Sequence, residues 1–302
     1  MVRDFVMRAH GRSNGTAART ALWIGLLLLA LPLAVHAGYP IRVKDARGKL
    51  VTIRARPKRI VSIAPNCTEI LYAIGAGDRV VGVTRFCDYP PEAKKKPKIG
   101  DMNTSAEAVV ALKPDLVLAH ALANDSAIAR LEKLGLTVFA VDPRTLAQVA
   151  RDIRTIGRIT ARPATAERIA SGMERKLAEI RRRCAKRPVR KVLVVIQSSP
   201  LWAAGPGTFV DEMIRAAHAR NVAFDARAGF VTFSKELAIS RNPDLIVVGV
   251  KSDADYFLKS REWRRTNAVR NGRVFVINSD LMVRAGPRLV NGLEELAKRL
   301  DY

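Results

Sequence analysis

The sequence predicts an α/β fold of two lobes, each with a central, mostly parallel sheet, joined by one long rigid helix. Three observations carry this. From Arg59 onward short apolar runs alternate with helical periods. The same grammar restarts at Lys191. Between the two blocks lies a single uninterrupted helical stripe, residues 163–188. Alternation of strand and helix signals implies βαβ units and parallel pairing.

The chain has 302 residues, of which 48% are hydrophobic, enough apolar material for a packed core and too much for a disordered chain. Lys and Arg number 52 against 28 Asp and Glu, a formal charge of +24. Such a balance raises nucleic acid or an anionic surface as a partner. The basic residues are scattered, however, with short runs at Lys94–Lys96 and Arg181–Arg183 and no interleaved aromatics. They read as a solvated surface, and nucleic acid is not an expected partner. Three cysteines and four histidines are too few for a disulfide scaffold or a histidine-rich metal centre.

Residues 1–37 carry Arg3, Arg8, Arg12 and Arg19, then the uncharged run 21–35, then Val35-His36-Ala37 before Gly38. A basic start, an apolar core and a small-residue exit describe a secretory signal cleaved near Ala37. As a helix the apolar run spans only about 22 Å, short of a bilayer core. No cysteine follows it that could anchor a lipoprotein. The mature chain is expected in the periplasm, divided into a lobe at 38–160, an interlobe helix at 161–188 and a second lobe at 189–302.

The mature chain opens with alternation over 41–55 around Ala46-Arg47-Gly48, a hairpin signal. Strands are expected at 59–64, 79–83, 115–119 and 137–141, with helices at 67–74, 105–112, 125–134 and 145–159. The second block places strands at 191–196, 244–250 and 273–278 and a last helix near 288–300. In the connecting stripe Ala166, Ile169, Ala170, Met173, Leu177, Ile180 and Cys184 recur at spacings of three and four. Pro163 suits its first turn and Pro188 stops it. Its length, roughly 33 Å, is enough to cross from one lobe to the other.

The two blocks also repeat a detail. Glu107 and Pro114-Asp115-Leu116-Val117 return as Glu236 and Pro243-Asp244-Leu245-Ile246 at an offset of 129 residues. An internal duplication would place the glutamates at equivalent points of two lobes. A helix-start acid favoured by the macrodipole gives the same pattern.

Gly75-Ala76-Gly77 stands between helix and strand, the wrong order for a dinucleotide fingerprint, and reads as a helix C-cap. Gly205-Pro206-Gly207 has no Lys-Ser/Thr after it and reads as a loop. Cys67 and Cys87 lie beyond the ends of adjacent strands, at the edge where open α/β sheets bind ligands. A disulfide is the leading reading for an exported chain, two free thiols the next. A cysteine nucleophile with His120 as base, as in a thiol hydrolase, lacks any surrounding elbow or signature.

The segment 59–100, RIVSIAPNCTEILYAIGAGDRVVGVTRFCDYPPEAKKKPKIG, with ALKPDLVLA (111–119) and NPDLIVVG (242–249), resembles the periplasmic binding proteins of ABC importers for cobalamin and iron chelates. The likeness spans about 55–300 and is nearest the cobalamin-binding branch. It rests there on Cys-Asp-Tyr-Pro-Pro at 87–91 and on Asp280-Leu-Met-Val-Arg284. The resemblance implies a class III binding protein with no catalysis and no cofactor of its own. It implies a ligand between the lobes that is a cobalamin or other corrinoid, alternatively heme or a ferric siderophore. It implies a monomer whose partner is a permease dimer with its ATPase. Glu107 and Glu236 fall on the two permease-docking positions. Phe86, His120, Trp202 and Phe230 fall on pocket walls, and Asp280 and Arg284 on the ligand loop. His120 stands where the cobalamin branch has tryptophan, and the second-lobe disulfide of that branch has no counterpart here.

Overall fold

The computed structural model describes residues 38–101 and 103–301. The expected signal segment lies outside the described residues. Among these, no helix is long and apolar enough to cross a membrane.

Strands β1 (Ile41–Lys44) and β2 (Leu50–Ile53) form the expected antiparallel hairpin. The Asp45 carboxylate accepts the N–H groups of Arg47 and Lys49 at 2.9 and 3.0 Å. Gly48 turns the chain at φ 79°, a conformation that favours glycine.

The first lobe follows the expected order. Strands β3 (Ile60–Ser62), β4 (Val80–Val83), β5 (Leu116–His120) and β6 (Val138–Val141) make a sheet in the order β4-β3-β5-β6, and every pairing is parallel. Helices α1 (Pro65–Ala73), α2 (Pro91–Lys94), α3 (Ala106–Ala111), α4 (Asp125–Lys133) and α5 (Leu146–Ile159) intervene. Strands of a parallel sheet covered on both faces read as continuous apolar runs; Leu116 to Ala119 are all fully buried.

Helix α6 (Pro163–Cys184) is the connecting helix. Its buried stripe is Ala166, Ala170, Met173, Ile180 and Cys184. Arg154 of α5 binds both Glu167 and Glu174 of α6 through paired contacts of 2.7–2.9 Å. Lys176 and Arg183 of α6 reach Glu294 at 3.1 and 2.8 Å. That carboxylate belongs to the last helix of the chain, so α6 is tied to both lobes.

The second lobe holds β7 (Lys191–Gln197), β8 (Trp202–Ala204), α7 (Phe209–Ala216), β9 (Arg220–Asn221), β10 (Phe230–Thr232), α8 (Lys235–Ser240) and β11 (Leu245–Val248). After these come α9 (Lys251–Lys259), α10 (Asn267–Arg270), β12 (Val274–Val276), α11 (Ser279–Val283) and α12 (Leu289–Arg299). Strands β9, β7, β11 and β12 pair in parallel, while β8 and β10 add antiparallel strands at one side. This short ribbon was not expected from the sequence.

The 129-residue repeat extends to the backbone. Ser105 caps α3 and Ser234 caps α8. Lys113 and Asn242 take φ 45° and 50°, and Gly100 and Gly229 take φ 114° and 106°. Asp115 accepts the backbone N–H of Lys58 at 2.6 Å, and Asp244 that of Lys191 at 2.8 Å. Each aspartate therefore ties the start of a central strand, β3 or β7, to the turn before its parallel neighbour, β5 or β11.

Candidate functional site: a cleft between two sheet edges

The C-terminal ends of β3, β4 and β5 open into the loops 63–66, 84–88 and 120–124. Facing them are Phe209 at the start of α7, Phe230 of β10 and the Val283–Ala285 turn. Together these enclose a cavity of about 260 Å³. Phe209 and Phe230 meet edge to face, with centroids 6.1 Å apart, a favoured aromatic geometry. Phe86 comes from the opposite lobe and is 48% exposed, which leaves it free to reorient.

Four of the residues singled out by sequence, Phe86, His120, Phe230 and Arg284, line this cavity. Trp202 and Asp280 do not. Trp202 sits on β8 opposite Thr232 of β10, with 42% of its surface exposed. Asp280 stands behind the cavity wall, its carboxylate ion-paired with Nε of Arg284 at 2.9 Å.

His120 ends β5. Its Nδ1 accepts the N–H of Ala123 at 3.4 Å, and its Nε2 lies 3.6 Å from Asp142. Both ring nitrogens thus have partners on their own lobe. Burial lowers the imidazole pKa, and the Asp142 charge opposes that only in part, so the ring is neutral near pH 7.

The expected Cys67–Cys87 disulfide is a correction: both residues are buried free thiols. Each sulfur has its own contacts. Cys67 Sγ lies 3.6 Å from the carbonyl of Ala119, and Cys87 Sγ lies 3.2 Å from the Thr84 hydroxyl. Burial pushes the Cys67 thiol well up, which leaves it protonated and unreactive. Among the described residues no group of three or more His, Cys, Asp or Glu is placed to hold a metal ion.

Sequence reasoning missed a charged cluster that meets the cavity at Arg284 and otherwise lines a neighbouring pocket. Glu69 of α1 is almost fully buried and forms a two-point pair with Arg288, Nε to Oε2 at 2.9 Å. Arg284 Nη1 reaches Asp88 at 2.6 Å and Glu69 at 3.5 Å. The Arg288 guanidinium lies 3.5 Å over the Tyr89 ring, an attractive cation–π arrangement. First-lobe carboxylates and second-lobe arginines are interleaved. The only signal in the sequence was the acid in Thr68-Glu69, inside a run otherwise read as helix core.

Glu107 and Glu236 are exposed. Each receives the hydroxyl of its helix-capping serine, Ser105 at 2.9 Å and Ser234 at 3.0 Å. In each, a backbone hydrogen bond and then that serine hold the carboxylate below its ordinary range. Lys235 is paired with Glu262 at 2.7 Å and stands 4.0 Å from Glu236.

Two α/β lobes bound by one helix, with an open-mouthed cavity between their strand ends, have the geometry of a protein that holds a small molecule in an interlobe cleft. A family model described as periplasmic binding protein matches residues 60–281, and the chain belongs to that family. It is 37% identical to an ABC transporter substrate-binding lipoprotein, YvrC, of Bacillus subtilis, over 93% of this chain and 97% of the relative. The periplasmic vitamin B12 binding protein BtuF of Vibrio cholerae superposes with a TM-score of 0.74 at 26% identity, over 82% of this chain and 97% of that one. The periplasmic heme-binding protein RhuT of Roseiflexus gives 0.73 at 30% identity, over 80% and 97%. The chain is therefore an ABC-importer substrate-binding protein of the type that serves B12, heme and iron chelates.

Proposed function

We propose that this chain captures cobalamin or a related corrinoid in the interlobe cavity and delivers it to a permease dimer energised by its ATPase. It does so in the periplasm, after removal of residues 1–37, as a monomer without catalysis and without a resident cofactor. The lobes are assigned to 38–160 and 189–302, with 161–188 as the strut. The observation that carries this reading is the aromatic cavity of Phe86, Phe209 and Phe230, faces suited to a flat macrocycle. The likeness to the V. cholerae B12 protein supports the same choice.

The volume of about 260 Å³ falls below the roughly 300 Å³ at which ligand pockets begin. A macrocycle would therefore extend out through the open mouth of the cleft, past the exposed Phe86. Calorimetry and visible spectra with cyanocobalamin, cobinamide, hemin and a ferric hydroxamate test the assignment. One-to-one corrinoid binding with a sub-micromolar Kd, above about 8 kcal/mol, is expected. Binding of hemin or the ferric chelate without corrinoid would transfer the assignment to that ligand, a reading that the likeness to RhuT supports.

A further inference from the structure

Arg284 is the one cation among the described residues that line the cavity, apart from the neutral His120. It is not free. Its Nη1 donates to Asp88 at 2.6 Å, its Nε is ion-paired with Asp280 at 2.9 Å, and Glu69 stands 3.5 Å away. Arg288, the second cation of the group, is bound two-point by Glu69 and has Asp280 at 3.9 Å. Three carboxylates thus enclose two guanidinium groups, and the cluster carries one net negative charge. Its centre is shielded, with the arginine side chains 16% and 17% exposed and Glu69 2%, while Asp280 and Asp88 are 26% and 46% exposed. The three carboxylates do not themselves line the cavity; the one acid among the described residues that does, Asp101, is paired with Arg85 at 2.8 Å. Nη2 of Arg284 has no protein hydrogen-bond partner among the described residues.

We propose that this carboxylate cage makes the cleft selective for macrocycles bearing uncharged amides over those bearing carboxylates, with Glu69 and Asp88 as specificity-determining residues. This rests on the cavity being the ligand site. An amide carbonyl accepts a hydrogen bond from Nη2 without disturbing the cage. A ligand carboxylate reaching the same Nη2 approaches a cluster that is already net negative, and a two-point pair with Arg284 requires Asp88 or Asp280 to be displaced. Specificity of this kind is set as much by what is repelled as by what is bound. Asp88 and Glu69 act through Arg284 and need not touch the ligand.

The test compares rings of the same core with and without side-chain carboxylates: cobinamide against cobyrinic acid, and hemin against its dimethyl ester. Wild-type protein is expected to bind the carboxylate-free member of the pair it accepts at least about tenfold more tightly. Asp88→Asn is expected to shrink that ratio by about fivefold or more, through tighter binding of the carboxylate member with little change for the other. Loss of fold alone would weaken both members equally. Glu69→Gln should act in the same direction; should its burial prevent folding, Asp88→Asn, whose side chain is 46% exposed, keeps the question open to measurement. An unchanged ratio in Asp88→Asn overturns the proposal. If wild type binds none of the four compounds, the cavity assignment itself falls. In that event the selectivity proposal falls with it, whereas an unchanged ratio with binding intact overturns the proposal alone.

Discussion

At the scale of single residues, the least comfortable group in the first lobe is Asp152. It lies on α5 and receives no hydrogen bond among the described residues; burial raises its carboxyl to about 7, against which Arg151 works only weakly. Between the unfolded carboxylate's value near 4 and about 7, the folded protein keeps a proton that the unfolded chain has lost. Stability therefore falls as pH rises through that window and is flat above it. Asp152→Asn removes this dependence. The variant is expected to melt above wild type at pH 8, by an amount on the order of 2–4 kcal/mol, with the two curves meeting near pH 4. Thermal scans at four pH values check it. His120 moves the other way: its lowered pKa makes the native state reluctant to accept the proton that the unfolded chain takes up below about 6.5, so it removes stability as pH falls. The individual cleft residues were only partly legible in the sequence. His120 could be placed at a binding edge because it ends a strand, and Phe86, Trp202 and Phe230 could be placed only through the family resemblance. The contacts that decide their roles could not, since Glu69 and Arg288 are 219 residues apart and nothing local marks them as partners. The thiols teach the same lesson. Two cysteines at one sheet edge read naturally as a bond, yet each lies against a different oxygen.

At the scale of elements, α5 and α6 cross closely at Gly157. A methyl group at Gly157 would collide with Cβ of Ala166 and stand 3.1 Å from the carbonyl of Arg162. Gly157→Ala should raise helix propensity locally and still destabilise the fold by about 1–3 kcal/mol, because the helices would have to separate. Denaturant unfolding followed by circular dichroism measures this, and an unchanged or raised midpoint would show that α6 can slide on α5. The long helix and the parallel strands were legible because their signals are periodic and extended: α6 was placed at 163–188 and runs Pro163–Cys184. The antiparallel ribbon was not. Strands β8 and β10 have three residues each, too short for alternation to declare itself, and Gly205-Pro206-Gly207 between β8 and α7 gave a loop signal only. That ribbon carries Phe230 and Trp202, so much of the second lobe's wall was hidden from pattern reading.

At the scale of the molecule, the repeated glutamates make the sharpest forecast. Each is exposed, one per lobe, at the first turn of an equivalent serine-capped helix, with no lysine or arginine closer than 4.0 Å. Such uncommitted carboxylates suit directional pairing with arginine. Glu107→Ala and Glu236→Ala should each weaken complex formation with the permease, typically by about 2–5 kcal/mol where the partner arginine stays buried. The double variant should nearly abolish uptake while ligand affinity stays unchanged, because neither residue lines the cavity. If the two only start helices, the variants lose thermal stability and transport survives.

The two cavity-facing segments have a further consequence. Asp101 lines the cavity six residues before Glu107, and Phe230 lines it six residues before Glu236. Each stretch leaves a glycine with positive φ, Gly100 or Gly229, and ends in a capped first turn. A membrane partner that grips both acids would therefore hold the far ends of the two short segments whose near ends border the bound molecule. Full and empty carriers could be told apart by touch at two matched points, with no message needing to cross either sheet.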